Sequence, residues 1–278
     1  MLQKIKAWFE NLKKRQGVPE TCRTVLIILG FYLTYYLSSF FGIFALLFVL
    51  AIFGDSVYQN GVLINYAVQI AVAAAFMIYN DLVFAKKCEV SGAEKKLAVF
   101  PTPCVYLSAQ LSGYAVNLIA IFFMLFFGFE PENSVHYAEN SIYGDIFMAV
   151  VVSVIGPIVE EYVFRYVLLG KLKFIGVWKA ILISSAVFAS LHASGSIFYA
   201  FVVGIALAYV AVSRGIKYSA AMHIFNNAVS SLLMLLEKYA DENAYLFASR
   251  AHVAVILCGG IISFAVIAVK LRKQKNEI

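Results

Sequence analysis

The feature that most constrains this chain is its succession of long apolar runs with almost no charge inside them. Runs of about 18 or more such residues are candidates for membrane-spanning helices. Eight are read here, at about 24–52, 62–84, 104–127, 143–169, 177–194, 197–213, 218–236 and 251–270. At 1.5 Å rise per residue most come close to crossing a ~30 Å hydrocarbon core, and the first is long enough to tilt. Composition agrees: 62% of the residues are hydrophobic and 14% charged, whereas a soluble domain carries roughly 25% charged residues. The expected fold is all-α, a polytopic transmembrane helical bundle.

The charges between the runs give an orientation. The first loop has Asp55 and no Lys or Arg, and the second has Lys86, Lys87, Lys95 and Lys96. The third holds Glu130, Glu132 and Glu139, and the fourth Lys171, Lys173 and Lys179. The fifth, around Ala193 to Ser196, is uncharged. The sixth has Arg214 and Lys217, the seventh is mixed and largely acidic with Asp241, Glu242 and Arg250, and the tail is basic. Basic loops alternate with the others, which predicts both termini in the cytoplasm. The net charge of +6 therefore belongs to membrane topology and not to nucleic-acid binding.

Residues 1–23 carry six Lys or Arg around Trp8, Phe9 and Leu12. They lack the apolar core of a cleavable signal peptide and suggest an amphipathic segment on the membrane surface. The expected organisation is this basic cytoplasmic segment, one membrane domain over 24–270 and a basic tail at 271–278. Cys22, Cys88, Cys104 and Cys258 have no CxxC spacing, so neither a zinc knuckle nor a disulfide framework is indicated.

Charge within a span is expensive and marks function by default. In the first three spans the polar groups include amides and hydroxyls such as Gln69, Gln110 and Asn117, suited to hydrogen bonds between helices. The fourth reads Gly156-Pro157-Ile158-Val159-Glu160-Glu161-Tyr162-Val163-Phe164-Arg165. Glu161 and Arg165 are i, i+4 with the acid first, so they share a face and pair. Glu160 points about 100° away and is left without a partner in its own helix. In the fifth span Ser185, Phe188 and His192 share a face; in the seventh, His223 and Asn227 do, with Asn226 beside them. His136 and His252 fall in or next to outer loops.

These residue types fit one chemistry. A carboxylate takes a proton from water, and a His orients that water or binds a metal that acidifies it. A second His and an amide N–H stabilise an oxyanion. No HExxH or Ser-His-Asp pattern competes. If a divalent metal such as zinc takes part, Glu160, His192 and His223 are its available ligands, three protein groups plus a water. The site assembles only if the Gly156-Pro157 step shifts Glu160, or if the fifth helix is short or strongly tilted.

The ordered set Glu160-Glu161-x-x-x-Arg165, Phe188-x-x-x-His192 and His223-x-x-x-Asn227 resembles the motif series of the CAAX-protease and bacteriocin-processing family. These are intramembrane endopeptidases related to type II CAAX prenyl endopeptidases. The resemblance covers about 143–236. It implies that Glu160 and His192 activate water, that His223 and Asn227 hold the oxyanion, and that Glu161 and Arg165 support them. It implies a membrane-associated peptide or protein substrate in a prokaryotic cell membrane, and no nucleic acid. Two other readings remain: a non-catalytic immunity or scaffold protein of the same fold, and a small transporter whose buried Glu and His carry protons or ions.

Overall fold

The computed structural model describes residues 19–53, 99–131 and 142–276, and among these all regular structure is helical. The helices are α1 (Glu20–Phe53), α2 (Thr102–Phe126), α3 (Ile142–Ile175), α4 (Val177–Ala189), α5 (Ile197–Arg214), α6 (Ile216–Tyr239) and α7 (Glu242–Asn276). Six of them, all but α4, contain a segment long and apolar enough to cross a membrane. They carry exposed apolar side chains along their length, such as Leu33 and Phe40 on α1, Leu118 and Phe122 on α2, and Ile261 and Ile262 on α7. An apolar surface of this extent belongs in lipid, and the protein is an integral membrane protein.

The expected count of eight is met in part. The span expected at 62–84 and most of the basic segment 1–23 lie outside the described residues. The span expected at 177–194 ends at Ala189. At 1.5 Å per residue α4 reaches only about 20 Å, short of the ~30 Å core. Its last turn tightens, with the Leu191 N–H donating to Phe188 O and the His192 N–H to Ala189 O. The tail expected at 271–278 continues α7 as helix to Asn276.

Contacts group the chain into two compact units, Met1–Glu89 with Tyr166–Ala180, and Val90–Arg165 with Ile181–Ile278. In the first, α1 packs on the last turns of α3, and the Arg23 guanidinium lies 4.0 Å from the Phe174 ring centroid. The second holds every chemical group discussed below.

In that second unit α2 packs between α5 and α7. The α2–α7 contact depends on small residues. A Cβ on Gly260 would stand 2.7 Å from Leu111 Cβ and 3.1 Å from the Leu107 carbonyl oxygen. Close approach of two backbones through glycine is a common way to pack helices in lipid, where burial alone gives little attraction. Gly260→Leu is expected to destabilise the fold by about 1–3 kcal/mol, the usual range for overpacking. Thermal unfolding in detergent should show a lower midpoint; an unchanged midpoint would mean that this contact does not hold the helices together.

Helices α3 and α6 run antiparallel and are joined by polar contacts at matched intervals. Near one end, Lys238 Nζ and the Tyr239 hydroxyl donate to Asp145 Oδ2 at 2.6 and 2.7 Å. Midway, Ser153 Oγ donates to Ser231 Oγ at 2.9 Å, and Asn227 Nδ2 donates to the Val152 carbonyl at 3.1 Å. At the other end Glu160 and Glu161 meet His223. Asp145 and Glu160 are as far apart along α3 as Lys238 and His223 are along α6, so the contacts hold one register.

Candidate active site

The path of α3 near the glutamates follows from Pro157. Proline has no N–H for the i→i−4 ladder and its ring crowds the preceding turn. The helix answers with a wide π-type stretch at Val151–Ile155, returns to α over Gly156–Glu160, and widens again over Glu161–Leu169. Such wide turns occur frequently at functional sites. The Gly156-Pro157 step therefore does not break α3, and the fifth segment is short, ending as regular helix at Ala189.

The two adjacent carboxylates have different environments. Glu161 is buried, 1% exposed, and Arg165 is 0% exposed. Arg165 Nε lies 3.6 Å from Glu161 Oε1, the i, i+4 ion pair expected from spacing. Glu161 also accepts a hydrogen bond from the Ser219 hydroxyl and one from His223 Nδ1 at 3.1 Å. Glu160 is 33% exposed at its side chain, and its Oε2 lies 3.5 Å from His223 Nε2. The imidazole thus stands between both glutamates. Its Nδ1 proton is directed at Glu161, because a carboxylate accepts, and its Nε2 faces Glu160.

Ser219 carries no signal in the sequence reading, although it precedes His223 by one helical turn and meets the same carboxylate. It is fully buried, and its oxygen also lies 2.9 Å from the Leu207 carbonyl. A hydroxyl so enclosed and directed to a carboxylate is a support for Glu161 and not an accessible nucleophile.

His192 reaches the set through Phe188. Their rings are 4.5 Å apart between centroids. The Phe188 ring is also 5.9 Å from the His223 ring and 4.6 Å from the Arg165 guanidinium carbon, a favourable cation–π placement. Gly204 on α5 lets this ring sit where it does, since a Cβ there would come within 3.2 Å of Phe188 Cδ1. His192 Nδ1 is 2.9 Å from the Phe188 carbonyl. A carbonyl only accepts, so Nδ1 carries the proton and the neutral ring presents Nε2 as an acceptor. Asn227, one turn after His223, accepts from Asn226 Nδ2 at 3.2 Å and donates to Val152 O.

The structure therefore brings Glu160, Glu161, Arg165, Ser219 and His223 into direct contact. Asn227 follows one turn along the same helix, and His192 is joined through Phe188. Among the described residues no three His, Cys, Asp or Glu side chains are placed to hold a metal ion. Glu160, His192 and His223 thus do not form the three-ligand set that the sequence allowed. The reason is local: His223 is turned between the two glutamates, and His192 folds back on its own helix end.

The family described as type II CAAX prenyl endopeptidase Rce1-like matches residues 142–229, from the start of α3 into α6. No curated protein and no solved structure gives a significant match. The matched stretch contains both glutamates, Arg165, Phe188, both histidines and Asn227, and over these residues the chain is similar to that family of proteases.

Proposed function

We propose that the protein is an intramembrane endopeptidase that hydrolyses a peptide bond with water activated at Glu160, without a covalent intermediate. The observation that carries this reading is the pair of unlike carboxylates about His223. Glu161 is buried and engaged by Arg165, Ser219 and His223, while Glu160 keeps an exposed face and lies 3.5 Å from the other ring nitrogen. One carboxylate orients the imidazole and the other is open to a substrate and its water.

The chemistry balances with these groups. Glu160 takes one proton of the water as the water oxygen attacks the carbonyl carbon. His192 Nε2 accepts the second water hydrogen and orients the oxygen lone pair. The carbonyl π electrons move to the oxygen, and the oxyanion is met by an Asn227 Nδ2–H and by His223 Nε2–H. This role requires the His223 ring to hold protons on both nitrogens. The charges of Glu160, Glu161, Arg165 and His223 then sum to zero within the cluster. Collapse expels the amine, which receives the proton from Glu160.

The substrate proposed is a membrane-associated peptide or protein. The matching family's description suggests a C-terminal CAAX segment with a prenylated cysteine. Internally quenched peptides ending in such a segment, farnesylated and unmodified, test both points in detergent. Cleavage of the farnesylated peptide alone supports the prenyl substrate, and cleavage of both supports a broader endopeptidase. Cleavage of neither, by folded protein, contradicts the proposal, and ion flux through the same protein in liposomes would then favour transport.

The proposed setting is a prokaryotic cell membrane with both termini in the cytoplasm, on the alternation of basic loops. Cysteine placed at Gln274 should be protected from impermeant reagents in intact cells, and cysteine placed at Ser134 should be labelled. The reverse pattern would contradict this orientation.

A further inference from the structure

Outside the segment that matches the family, α2 presents two amides on one face, Gln110 and Asn117. Gln110 is buried, 1% exposed, and belongs to a continuous set of hydrogen bonds that runs from Tyr199 through Asn226 and Asn227 to the Val152 carbonyl. The Tyr199 hydroxyl donates to Gln110 Oε1 at 2.7 Å. Gln110 Nε2 donates to Asn226 Oδ1 at 2.7 Å. Asn226 Nδ2 donates to Asn227 Oδ1 at 3.2 Å, and Asn227 Nδ2 donates to the Val152 carbonyl at 3.1 Å.

The direction of this series is forced by its far end. The Val152 carbonyl can only accept, so Asn227 must turn its NH2 toward it and its oxygen toward Asn226. Asn226 must then offer its own NH2 to Asn227, and its oxygen is left to receive Gln110. The Tyr199 hydroxyl stands 2.7 Å from Gln110 Oε1 and 3.0 Å from Asn226 Oδ1, so its one proton is shared between the two amide oxygens. Reversing any amide would set two oxygens or two NH2 groups face to face. With one N–H on Val152, Asn227 has its second N–H left for another acceptor.

Tyr199 itself is fixed from α2. The Asn117 side chain accepts from the Tyr199 N–H at 3.3 Å and donates to the Gly195 carbonyl at 2.9 Å. Gly113, between the two amides, leaves room for the tyrosine ring, since a Cβ there would meet its Cδ2 at 2.9 Å.

We propose that Gln110 and Tyr199 are positioning residues for Asn227, acting through Asn226 to aim its second N–H at the oxyanion. This rests on the reading of Asn227 as an oxyanion donor. The residues that set the catalytic amide then come partly from α2, beyond the matched segment, and they act without touching substrate.

The test uses full-length protein in detergent with the quenched CAAX peptide as probe. Gln110→Leu removes both bonds at nearly constant volume, and Tyr199→Phe removes only the hydroxyl and serves if the first variant fails to fold. Each is expected to lower kcat about tenfold with KM changed by less than about twofold, the pattern of an interaction made in the transition state. In an Asn227→Ala background the same substitutions should lower kcat no further, because coupled residues are non-additive. Unchanged kcat in both variants, while Asn227→Ala is impaired, overturns the positioning role and leaves the oxyanion reading intact. A loss that carries over in full into the Asn227→Ala background overturns it as well, as general destabilisation. Full activity of Asn227→Ala removes the oxyanion reading, and the proposal with it.

Discussion

Glu160→Gln is expected to reduce kcat for the quenched CAAX peptide by about 10²–10⁴-fold, the usual contribution of a positioned general base. The amide matches the carboxylate in shape and cannot take the proton of water. Its fold should be intact, because Glu160 is partly exposed and stands outside the buried ion pair. Thermal unfolding in detergent should therefore be close to that of the unmodified protein. Equal cleavage rates for the two would end the assignment of Glu160 as the base.

Glu161 and Arg165 should respond in the opposite way, with stability first. Both are almost completely enclosed, and removing one partner of a buried pair typically destabilises by about 3–5 kcal/mol, because the other charge stays buried. Arg165→Met and Glu161→Leu should each lower the unfolding midpoint strongly. The double variant should regain most of the loss, since replacing a whole buried pair by apolar groups is often neutral. It should nonetheless stay inactive, because His223 Nδ1 has lost the acceptor that holds the ring. Single variants as stable as the unmodified protein would contradict the structural role of the pair. An active double variant would contradict the role of Glu161 in orienting His223.

Much of this could be read in the sequence, for identifiable reasons. Apolar runs locate helices in lipid because nearly every residue facing the bilayer must be apolar, and the described helices fall on those runs. The end of α4 was not legible. Ser190, Leu191 and His192 contain no proline or glycine to stop a helix. The segment after it is held from elsewhere in the chain, by the bond from Asn117 to Gly195. The pairing of Glu161 with Arg165 follows from i, i+4 spacing within one helix. What Glu160 meets does not, because His223 lies on another helix and only the packing of α3 on α6 shows that one imidazole reaches both carboxylates. Ser219 could have been found, since it precedes His223 by one turn, just as His223 precedes Asn227. Tyr199 could not: it is one of 17 tyrosines, and no local spacing separates it from the rest. Gln110 and Asn117 were legible as amides that bond between helices, but not their relation to Asn227.

In the proposed mechanism Glu160 and His192 serve one oxygen of the tetrahedral intermediate while His223 and Asn227 serve the other. A substrate-like peptidyl ketone that hydrates in the site carries both oxygens at once. The most direct test is an experimental structure of the protein with this compound bound. One hydroxyl should lie within about 3 Å of Glu160 and His192, and the other within about 3 Å of His223 Nε2 and Asn227 Nδ2, as hydrogen bonds to a developing oxyanion require. Binding of the hydrate away from Glu160, or a His192 ring more than ~10 Å from it and so beyond reach through a single water, would contradict the account.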